Sequence, residues 1–478
     1  MYCAYITRLR NVRPHSNADR LLCGECFGNN VIVNLDYKEN QLGIYFPIDG
    51  KLSEDFANKH NLLRKKDENG KNIGGYLDPE KRNIKALKLR GEQSDGLFMP
   101  IESLSDYVDI NTLNEGDMIT HLGGELICEK YIPKTKIKSN VSIPAGKKSK
   151  KVKKTIYPYF EEHVDTAQLA YNLNAFKAND IIEITLKMHG TSQRTAYALT
   201  KTEKTYPYLI DKIRKLLGLK PKVIENYEYV SGTRRCTLEN FDGGFYGSNV
   251  FRKQHHDIFV GKLHKGEEVF YEVVGFTDTG VPIMPSVSNK KLNDKEFVKK
   301  YGSDTIFSYG CTPTEVTIKN ENIPSIKIPQ SDIYVYRMTM TNPDGEVVEY
   351  SYDQMKYRCE QMGVKVVPLF WRGIIPEYDI NKVEKIIEQD FGDSDIFIDE
   401  TPIKINAGEF IKNIAEHYYD GIDPVGQTHW REGVVVRIAN RPKFTAYKHK
   451  NWTFKVLEGI IKESATEADM EEAQEVQE

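Results

Sequence analysis

The sequence predicts an α+β protein in which a small N-terminal β-barrel precedes a larger domain of strands and helices. Its 478 residues exceed one ordinary domain of about 100 to 200 residues. Its hydrophobic fraction of 40% is enough for sizeable cores and too high for wholesale disorder. A lysine-rich segment at 133–156 without any acid separates two stretches of different pattern. We therefore expect two folded domains joined by a linker.

Composition excludes several classes of protein. No run approaches the roughly 18 apolar residues that a membrane span requires, and no apolar segment follows Arg8 and Arg10 at the start. Seven cysteines are few for this length and suit a reducing compartment. We expect a cytoplasmic protein without a membrane partner, while the net charge of -3 predicts no particular ligand.

The first 125 residues carry the pattern of a small β-barrel. Short alternating runs, punctuated by Gly, Pro, Asn and Asp, occur at 31–35, 43–46 and 84–89. The stretches PHSNADRLL (14–22) and LRGEQSDGL (89–97) resemble the turn and closing strand of oligonucleotide/oligosaccharide-binding (OB) domains of the tRNA-binding type. The resemblance implies a nucleic-acid-binding domain over 1–125. Periodicity alone leaves an unrelated five-stranded barrel open.

Charge and composition set the remaining boundaries. Nine lysines between 133 and 156 predict a basic linker over 126–156, which is either a solvated tether or a contact for phosphates. Strands alternate with helical patches at 208–217 and 353–363, so a second domain is expected over 157–457. Seven acids between 463 and 478 predict a disordered acidic tail over 458–478.

The strongest chemical signal is the stretch IIEITLKMHGTSQRTAY at 181–197. Its alternation predicts a strand that delivers Lys187 into a turn at His189 and Gly190. A lysine becomes a nucleophile only when nearby cations or burial lower its pKa. Gly190 lets the backbone approach a phosphate, and Thr191 and Ser192 offer hydroxyl donors. Alone, this motif also fits a strand that ends in a surface lysine.

Further segments follow the lysine in a fixed order. They are SGTRR (231–235), VFYEVVG (269–275), IYVY (333–336), REGVVVR (431–437) and AYKHK (446–450). The arrangement resembles the covalent nucleotidyltransferase superfamily of RNA ligases, DNA ligases and capping enzymes. It is most similar to the Deinococcus-type ATP-dependent, nick-sealing RNA ligases, because they also place an OB domain before the nucleotidyltransferase domain. The resemblance then covers nearly the whole chain.

The resemblance implies a nucleotidyltransferase domain built on antiparallel sheets with flanking helices. ATP and Mg²⁺ (or Mn²⁺) are the implied cofactors, and RNA or an RNA-containing nicked duplex is the implied partner of a monomeric enzyme. Lys187 would attack the α-phosphorus of ATP and hold AMP as a phosphoramide. The AMP would then pass to a 5′-phosphate and be displaced by a 3′-hydroxyl.

The resemblance also implies a role for each charged or aromatic motif residue. Lys448 and Lys450 would neutralise the α-phosphate and lower the pKa of Lys187. Glu432 would hold the metal ion or orient the lysine. Glu272 would accept from the ribose hydroxyls, and Tyr336 or Tyr334 would stack on adenine. One of Arg234 and Arg235 would bind the 5′-phosphate. His189 and Gly190, in the turn, are also expected to contact the nucleotide.

Several alternatives stay open at this point. Tyr334 and Tyr336 also fit ordinary core aromatics, and His189 fits a turn residue without a chemical role. Arg234 and Arg235 are expected to alternate across a strand, so only one can face the site. Two other possible metal sites, the Cys23/Cys26 pair and the run 255–257 (HHD), fit a barrel strand and a solvated loop equally well.

Two rival functions remain from the sequence. One is an RNA-binding protein whose nucleotidyltransferase domain is inactive, although the intact charged motif residues argue against decay. The other is a GTP-using enzyme of the capping type, which would carry its OB domain after the fifth motif, where only 28 residues follow Lys450. The role of the insertions at 276–330 and 370–425 is not predicted.

Overall fold

The computed structural model divides the chain into two compact units. The smaller unit comprises Met1–Thr135, Asn289–Lys295 and Lys450–Ala468, and the larger unit comprises Lys136–Ser288, Glu296–His449 and Asp469–Glu478. The structure describes residues 2–70, 72–132, 157–203, 217, 223–234, 236–238, 241, 246, 248–320, 323–376 and 406–463. Within these residues, every helix is too short or too polar to cross a membrane.

The smaller unit consists of short antiparallel strands. The strands are β1 (Ala4–Arg8), β2 (Arg10–Pro14), β3 (Leu21–Cys26), β4 (Asn29–Asn34), β5 (Leu42–Pro47), β6 (Gly50–Leu52), β7 (Lys65–Lys66), β8 (Asn72–Gly74), β9 (Leu87–Leu89), β10 (Glu92–Ser94), β11 (Gly96–Pro100), β12 (Met118–Ile119), β13 (His121–Leu122), β14 (Glu125–Leu126) and β15 (Cys128–Lys130). A four-stranded sheet has the order β11-β5-β1-β12, and a three-stranded sheet has the order β2-β3-β4. The remaining strands form the pairs β6–β15, β7–β8, β9–β10 and β13–β14.

The core of this unit follows from alternation along β1 and β5. Ile6, Ile44 and Phe46 are fully buried and pack with Phe56 of the only α-helix in the described part of 2–132. Burying such side chains contributes about 1.5 to 3 kcal/mol each. The helices of the unit are α1 (Glu54–Lys59), α6 (Trp452–Glu463) and 3-10 turns at Ile101–Leu104, Ile110–Thr112 and Asn289–Leu292.

Two predicted domain boundaries are wrong. The linker does not begin at 126, because β15 pairs with β6 and Cys128 is fully buried. The acidic tail does not begin at 458, because α6 continues to Glu463 and buries Phe454 and Leu457. Apolar side chains at helical spacing keep this segment folded despite its neighbouring acids. The rest of the predicted linker, 133–156, and of the tail, 464–478, lies outside the described residues.

The larger unit contains two main sheets. Its strands are β16 (Ala167–Gln168), β17 (Ile181–Lys187), β18 (Thr191–Glu203), β19 (Val223–Gly232), β20 (Thr237–Leu238), β21 (Glu267–Gly275), β22 (Val287–Ser288), β23 (Asp304–Thr305), β24 (Val316–Asn320), β25 (Ile323–Ile328), β26 (Ser331–Thr341), β27 (Val347–Glu349), β28 (Lys365–Val366), β29 (Leu369–Ile374), β30 (Gly433–Ile438) and β31 (Ala446–Lys450). One main sheet has the order β16-β31-β30-β17-β29. The other has the order β20-β19-β18-β21-β26-β27, with β28 paired to β26.

Four described α-helices lie between residues 250 and 418. They are α2 (Val250–Phe259), α3 (Lys295–Tyr301), α4 (Tyr352–Met362) and α5 (Ala407–Tyr418), with 3-10 turns at Leu169–Tyr171 and Leu173–Ala175. The helix predicted at 353–363 is confirmed as α4. It begins at a capping box of Ser351 and Gln354 and ends at Gly363, whose φ is 73°. The helix predicted at 208–217 lies outside the described residues except for Leu217.

The five-stranded sheet has one apolar face and one polar face. Ile182 and Ile184 of β17 pack with Val434 and Val436 of β30 and with Ile411 of α5. Because side chains alternate along a strand, the opposite face of β17 carries Glu183, Thr185 and Lys187. The hydrophobic face therefore fixes the direction in which Lys187 points.

Candidate active site

The predicted nucleophile and the predicted motif acid lie side by side. Lys187 is the last residue of β17 and pairs with Gly433, the first residue of β30, so Glu432 stands next to it. Lys187 Nζ lies 2.6 Å from Glu432 Oε1. The lysine side chain is 22% exposed and the carboxylate only 1%. A buried acid thus holds an amine that solvent and ligands still reach.

The turn after Lys187 is held from several directions. His189 donates its backbone N–H to the Tyr309 hydroxyl at 2.7 Å, and its Nδ1 lies 3.6 Å from Glu432 Oε2. Gly190 donates its N–H to Glu272 Oε1 at 3.1 Å. A Cβ at Gly190 would lie 2.4 Å from the carbonyl oxygen of Val273, so no other residue fits without a shift of the backbone. The expected turn is confirmed, with glycine required by close packing.

Glu272 occupies a half-buried position in β21 beside this turn. Its strand pairs with β18 so that Ser192 stands opposite Glu272, and with β26 so that Tyr334 stands opposite it on the other side. Its carboxylate supports the turn through Gly190. Contact with a ribose stays a prediction for this residue.

The two tyrosines of β26 occupy different environments. The Tyr336 hydroxyl lies 2.8 Å from Ser192 Oγ and 3.1 Å from His163 Nδ1, and the ring is half-buried. Tyr334 is buried, and its hydroxyl bonds Asp332 at 3.3 Å. Of the two, Tyr336 is joined to the segment that follows Lys187, and stacking on adenine stays a prediction.

The arginine motif differs from the expectation. β19 ends at Gly232, and the chain turns through a hydrogen bond between Thr233 N and Cys236 O before β20. Arg234 therefore lies in a hairpin turn rather than alternating across a strand, and it donates two bonds to Asp165 at 2.6 and 2.9 Å. Arg235 lies outside the described residues.

The lysine pair is placed by β31, which neighbours β30. Tyr447 packs on the apolar core of the sheet, and His449 stacks on Tyr419 with ring centroids 5.0 Å apart. Lys448 alternates with both, so it lies on the polar face of the sheet together with Lys187. In the smaller unit, Lys450 Nζ lies 2.7 Å from Glu458 Oε2 of α6.

Sequence reasoning missed a buried polar cluster behind the turn. The ring of His429 packs against the rings of Tyr309 and Phe307, with centroids 4.4 and 5.2 Å away, respectively. Its Nε2 lies 3.7 Å from Asp423 Oδ2. Burial lowers the pKa of His429 to about 3 and raises the pKa of Asp423 to about 7. The only sequence signal was the presence of polar residues near the fourth motif, and spacing alone does not join them to Tyr309.

Thr191 has a structural contact. Its hydroxyl accepts a bond from the buried Arg252 of α2 at 2.7 Å, on the face of β18 opposite to Ser192. It anchors the helix, and contact with a phosphate stays a prediction for Thr191 and Ser192.

The weaker metal motifs have structural explanations. Cys23 and Cys26 are buried, unbridged residues of β3. The run 255–257 lies in α2 rather than in the predicted solvated loop, with His255 bonded to Ser331 and His256 to Thr195. Across the part of the chain that is described, no group of three or more His, Cys, Asp or Glu side chains is arranged to hold a metal ion.

The oxygen donors beside Lys187 suit a metal ion that binds together with a triphosphate. Mg²⁺ is usually bound through one or two carboxylates together with substrate phosphates and water. Glu432 is the buried carboxylate beside Lys187 and fits that role when a triphosphate supplies the other oxygens.

Comparisons with known proteins support both halves of the fold. Residues 3–101 match a family model described as an OB-fold domain. No curated protein sequence matches the chain. Among solved structures, the chain is similar to variants of an RNA ligase from Naegleria gruberi. A variant with AMP and Mn has 13% identity and a TM-score of 0.51, covering 95% of this chain and 97% of that one.

Two further variants of the same ligase agree with this match. One is an apo form and the other contains AMP and Mn, each with 14% identity, a TM-score of 0.51, and coverage of 95% and 97%. At this identity the similarity is one of fold. It confirms the predicted fold class, an N-terminal OB fold followed by an α+β domain of antiparallel sheets with flanking helices.

Proposed function

We propose that the chain is an ATP-dependent RNA ligase that seals 5′-phosphate and 3′-hydroxyl ends through a lysyl-AMP intermediate. The observation that carries the proposal is the 2.6 Å contact between Lys187, at the accessible end of β17, and the buried Glu432. Shared fold with an RNA ligase across 95% of the chain supports it.

In the first step, the Lys187 amine attacks the α-phosphorus of ATP. A P–N bond forms, the bond to pyrophosphate breaks, and the amine passes a proton to the neighbouring Glu432 carboxylate. Glu432 orients the amine, because a contact of this length fixes the nucleophile close to its attack position. Lys448 neutralises the α-phosphate, and Lys450 would join it after leaving Glu458. Magnesium or manganese, when bound with the triphosphate, would supply further positive charge.

The remaining motif residues hold the nucleotide and the ends. Tyr336 stacks on adenine, Glu272 accepts from the ribose, and the turn at His189 and Gly190 lies beside the phosphate. Arg234, which is paired with Asp165, or Arg235 binds the 5′-phosphate. In the later steps, AMP moves to the 5′-phosphate and the 3′-hydroxyl displaces it.

The preferred substrate is a nick with an RNA 3′ end. A duplex holds both ends at the roughly 3 to 3.5 Å that attack requires, and RNA imposes an A-like shape that a protein can read. The smaller unit, which contains the OB-fold match at 3–101, would bind strands beside the nick. Because α6 folds as part of that unit, where Lys455 contacts Asn29 and Asp95, removal of residues 1–156 would take away partners of this helix, so substrates are best compared with the full chain.

The test uses full-length protein, ATP, magnesium and nicked duplexes that differ only in the strand bearing the 3′-hydroxyl. We expect joining with an RNA 3′ end, much slower joining with an all-DNA nick, and none with GTP in place of ATP. Equal joining of both nicks would overturn the substrate assignment. Activity with GTP alone would favour a capping-type enzyme, and RNA binding without any labelling by a nucleotide would favour an inactive domain.

A further inference from the structure

A cavity of about 530 Å³ lies within the smaller unit, where three distant segments of chain meet. Its walls come from the β9–β10 hairpin, the 3-10 turn at Asn289–Leu292 and the start of α6. We name it the basic groove. Its size falls within the roughly 300 to 1,000 Å³ typical of ligand sites. The turn belongs to the insertion at 276–330, for which the catalytic motifs provide no role.

The charge of the basic groove has one sign. Lys85, Lys88, Arg90 and Lys291 line it, and none of the residues that form its lining is acidic. Within the described chain, the side chains of Lys88, Arg90 and Lys291 are in no ion pair with a carboxylate and are exposed. Like charges that converge without counter-charges repel one another, so a bound polyanion would stabilise them.

Apolar surface accompanies these cations. Trp452, which is half-buried, lines the basic groove together with the buried Leu292 and Val456. Cations that follow a phosphate backbone beside an aromatic ring that receives a base are the combination used by proteins that bind single strands. A duplex keeps its bases stacked inside and offers none to the indole.

The hairpin wall is held in place before any ligand binds. Arg90 and Gly91 form its two-residue turn, with φ of 47° and 103°. Asn17 Nδ2 donates to the Arg90 carbonyl at 2.9 Å, and Arg13 bonds both oxygens of Glu92 at 2.9 and 3.1 Å. A prearranged wall reduces the ordering cost of binding.

We propose that the basic groove binds an unpaired segment of the RNA substrate, with phosphates on Lys88, Arg90 and Lys291 and a base against Trp452. The inference rests on the proposed ligase function and extends it to a strand site outside the nucleotidyltransferase motifs. It assigns a role to the segment Asn289–Lys295 and to α6, which both form part of the basic groove in the smaller unit.

The first test measures fluorescence anisotropy of a labelled, 5′-hydroxyl RNA of about 12 nucleotides, a length within the site sizes of single-strand binders. The triple variant Lys88→Ala/Arg90→Ala/Lys291→Ala in the full chain should weaken binding about 10-fold or more. It should also lower the slope of log K against log salt by about 2, because each phosphate contact to a single strand contributes about 0.7.

The matched control removes three exposed lysines of the same unit, Lys38→Ala/Lys65→Ala/Lys66→Ala. Its binding should stay within about 2-fold of the wild type, since loss of net charge alone has a diffuse and screened effect. Equal losses in both triple variants, or no loss in the groove variant, would overturn the proposal.

Trp452→Leu separates base contact from charge. It should weaken binding about 5- to 100-fold with an unchanged salt slope, whereas Trp452→Phe should retain most of the affinity. With an abasic strand, the Leu variant and the wild type should bind equally. Equal weakening of the abasic strand, or duplex RNA that competes as well as the single strand, would overturn the single-strand assignment.

Labelling of the wild-type chain by ATP, without RNA, keeps this test separate from the proposed function. A chain that is adenylylated but whose groove variant binds RNA normally overturns the groove alone. A chain that uses the groove yet is never adenylylated overturns the ligase proposal and leaves the RNA site standing.

Discussion

Two pairs of a buried acid and a basic side chain in the larger unit differ in the exposure of the basic side chain. Lys187 and Glu432 lie 2.6 Å apart at the end of a strand, with side-chain exposures of 22% and 1%. Arg194 and Glu268 lie 3.6 Å apart on adjacent strands of the other sheet, with exposures of 3% and 2%. One cation is reachable by a ligand and the other is enclosed.

The enclosed pair is tied to its surroundings. Arg194 donates to the Thr233 carbonyl, and its guanidinium lies 4.3 Å from the centroid of the Phe160 ring. Burial raises the pKa of Glu268 to about 8, which favours the neutral acid, and its Oε2 accepts the Glu161 N–H at 3.0 Å. Of the two pairs, only the one at the strand end keeps its cation accessible, and for this reason Lys187 is the proposed nucleophile.

The largest expected effect comes from the accessible pair. Glu432→Gln keeps the shape of the side chain and removes the charge that orients Lys187, so the rate of self-adenylylation should fall by about 100-fold or more, as when one preorganised group is lost. The melting temperature should change little. Glu268→Gln, the matched loss of a buried acid, should be adenylylated at nearly the wild-type rate. Equal slowing in both variants would remove the distinction.

The second prediction concerns the cations of β31. Lys448→Ala and Lys450→Ala should each slow adenylylation by more than about 100-fold if one charged contact contributes about 3 to 4 kcal/mol to the transition state. Lys443, which is exposed and outside the pattern, is the control and should be nearly silent. Small and equal effects at all three positions would indicate a diffuse basic surface.

These pairs also show what the sequence can predict. Strand alternation predicted β17, and the resemblance carried by the ordered motifs implied that Glu432 acts close to Lys187. Alternation reports only local geometry, because it follows from the backbone of one strand. The sequence therefore did not indicate which of Tyr334 and Tyr336 contacts the segment after Lys187. It also did not indicate that His255 lies in a helix and not in a loop.

Contacts between distant segments were beyond sequence reasoning. Tyr309 reaches the turn at His189 from 120 residues away. The helix α6 joins the N-terminal unit although it follows the last motif. Such contacts depend on tertiary packing, which a single sequence without homologous sequences does not record. Composition misplaced the linker and tail for the same reason, since charge near a segment says little about whether its apolar residues are buried.

The third prediction addresses the enclosed pair. Arg194→Met should lower the free energy of unfolding by about 1 to 3 kcal/mol, the cost of leaving a buried polar partner such as the Thr233 carbonyl unsatisfied. Denaturant unfolding would measure this loss. The adenylylation rate of the folded protein should stay close to that of the wild type. Lost adenylylation with unchanged stability would place Arg194 in the chemistry instead.

The fourth prediction is a pH dependence of stability. A carboxyl whose folded pKa is raised to about 8 stabilises the fold at low pH, and that contribution is lost as pH rises from the unfolded value of about 4.5 to 8. Glu268→Gln cannot ionise, so its melting temperature relative to the wild type should increase between pH 5 and pH 8. A constant difference would show that Glu268 is ionised throughout that range.

The central claim is that Lys187 is the nucleophile, and intact-protein mass spectrometry tests it most directly. Full-length protein with ATP and magnesium should gain the mass of one adenylyl group, which peptide mapping should locate at Lys187 through an acid-labile, base-resistant bond. Lys187→Ala should fold and gain nothing. Adenylylation at another residue, or none with any nucleotide under conditions where the protein is folded, would contradict the account.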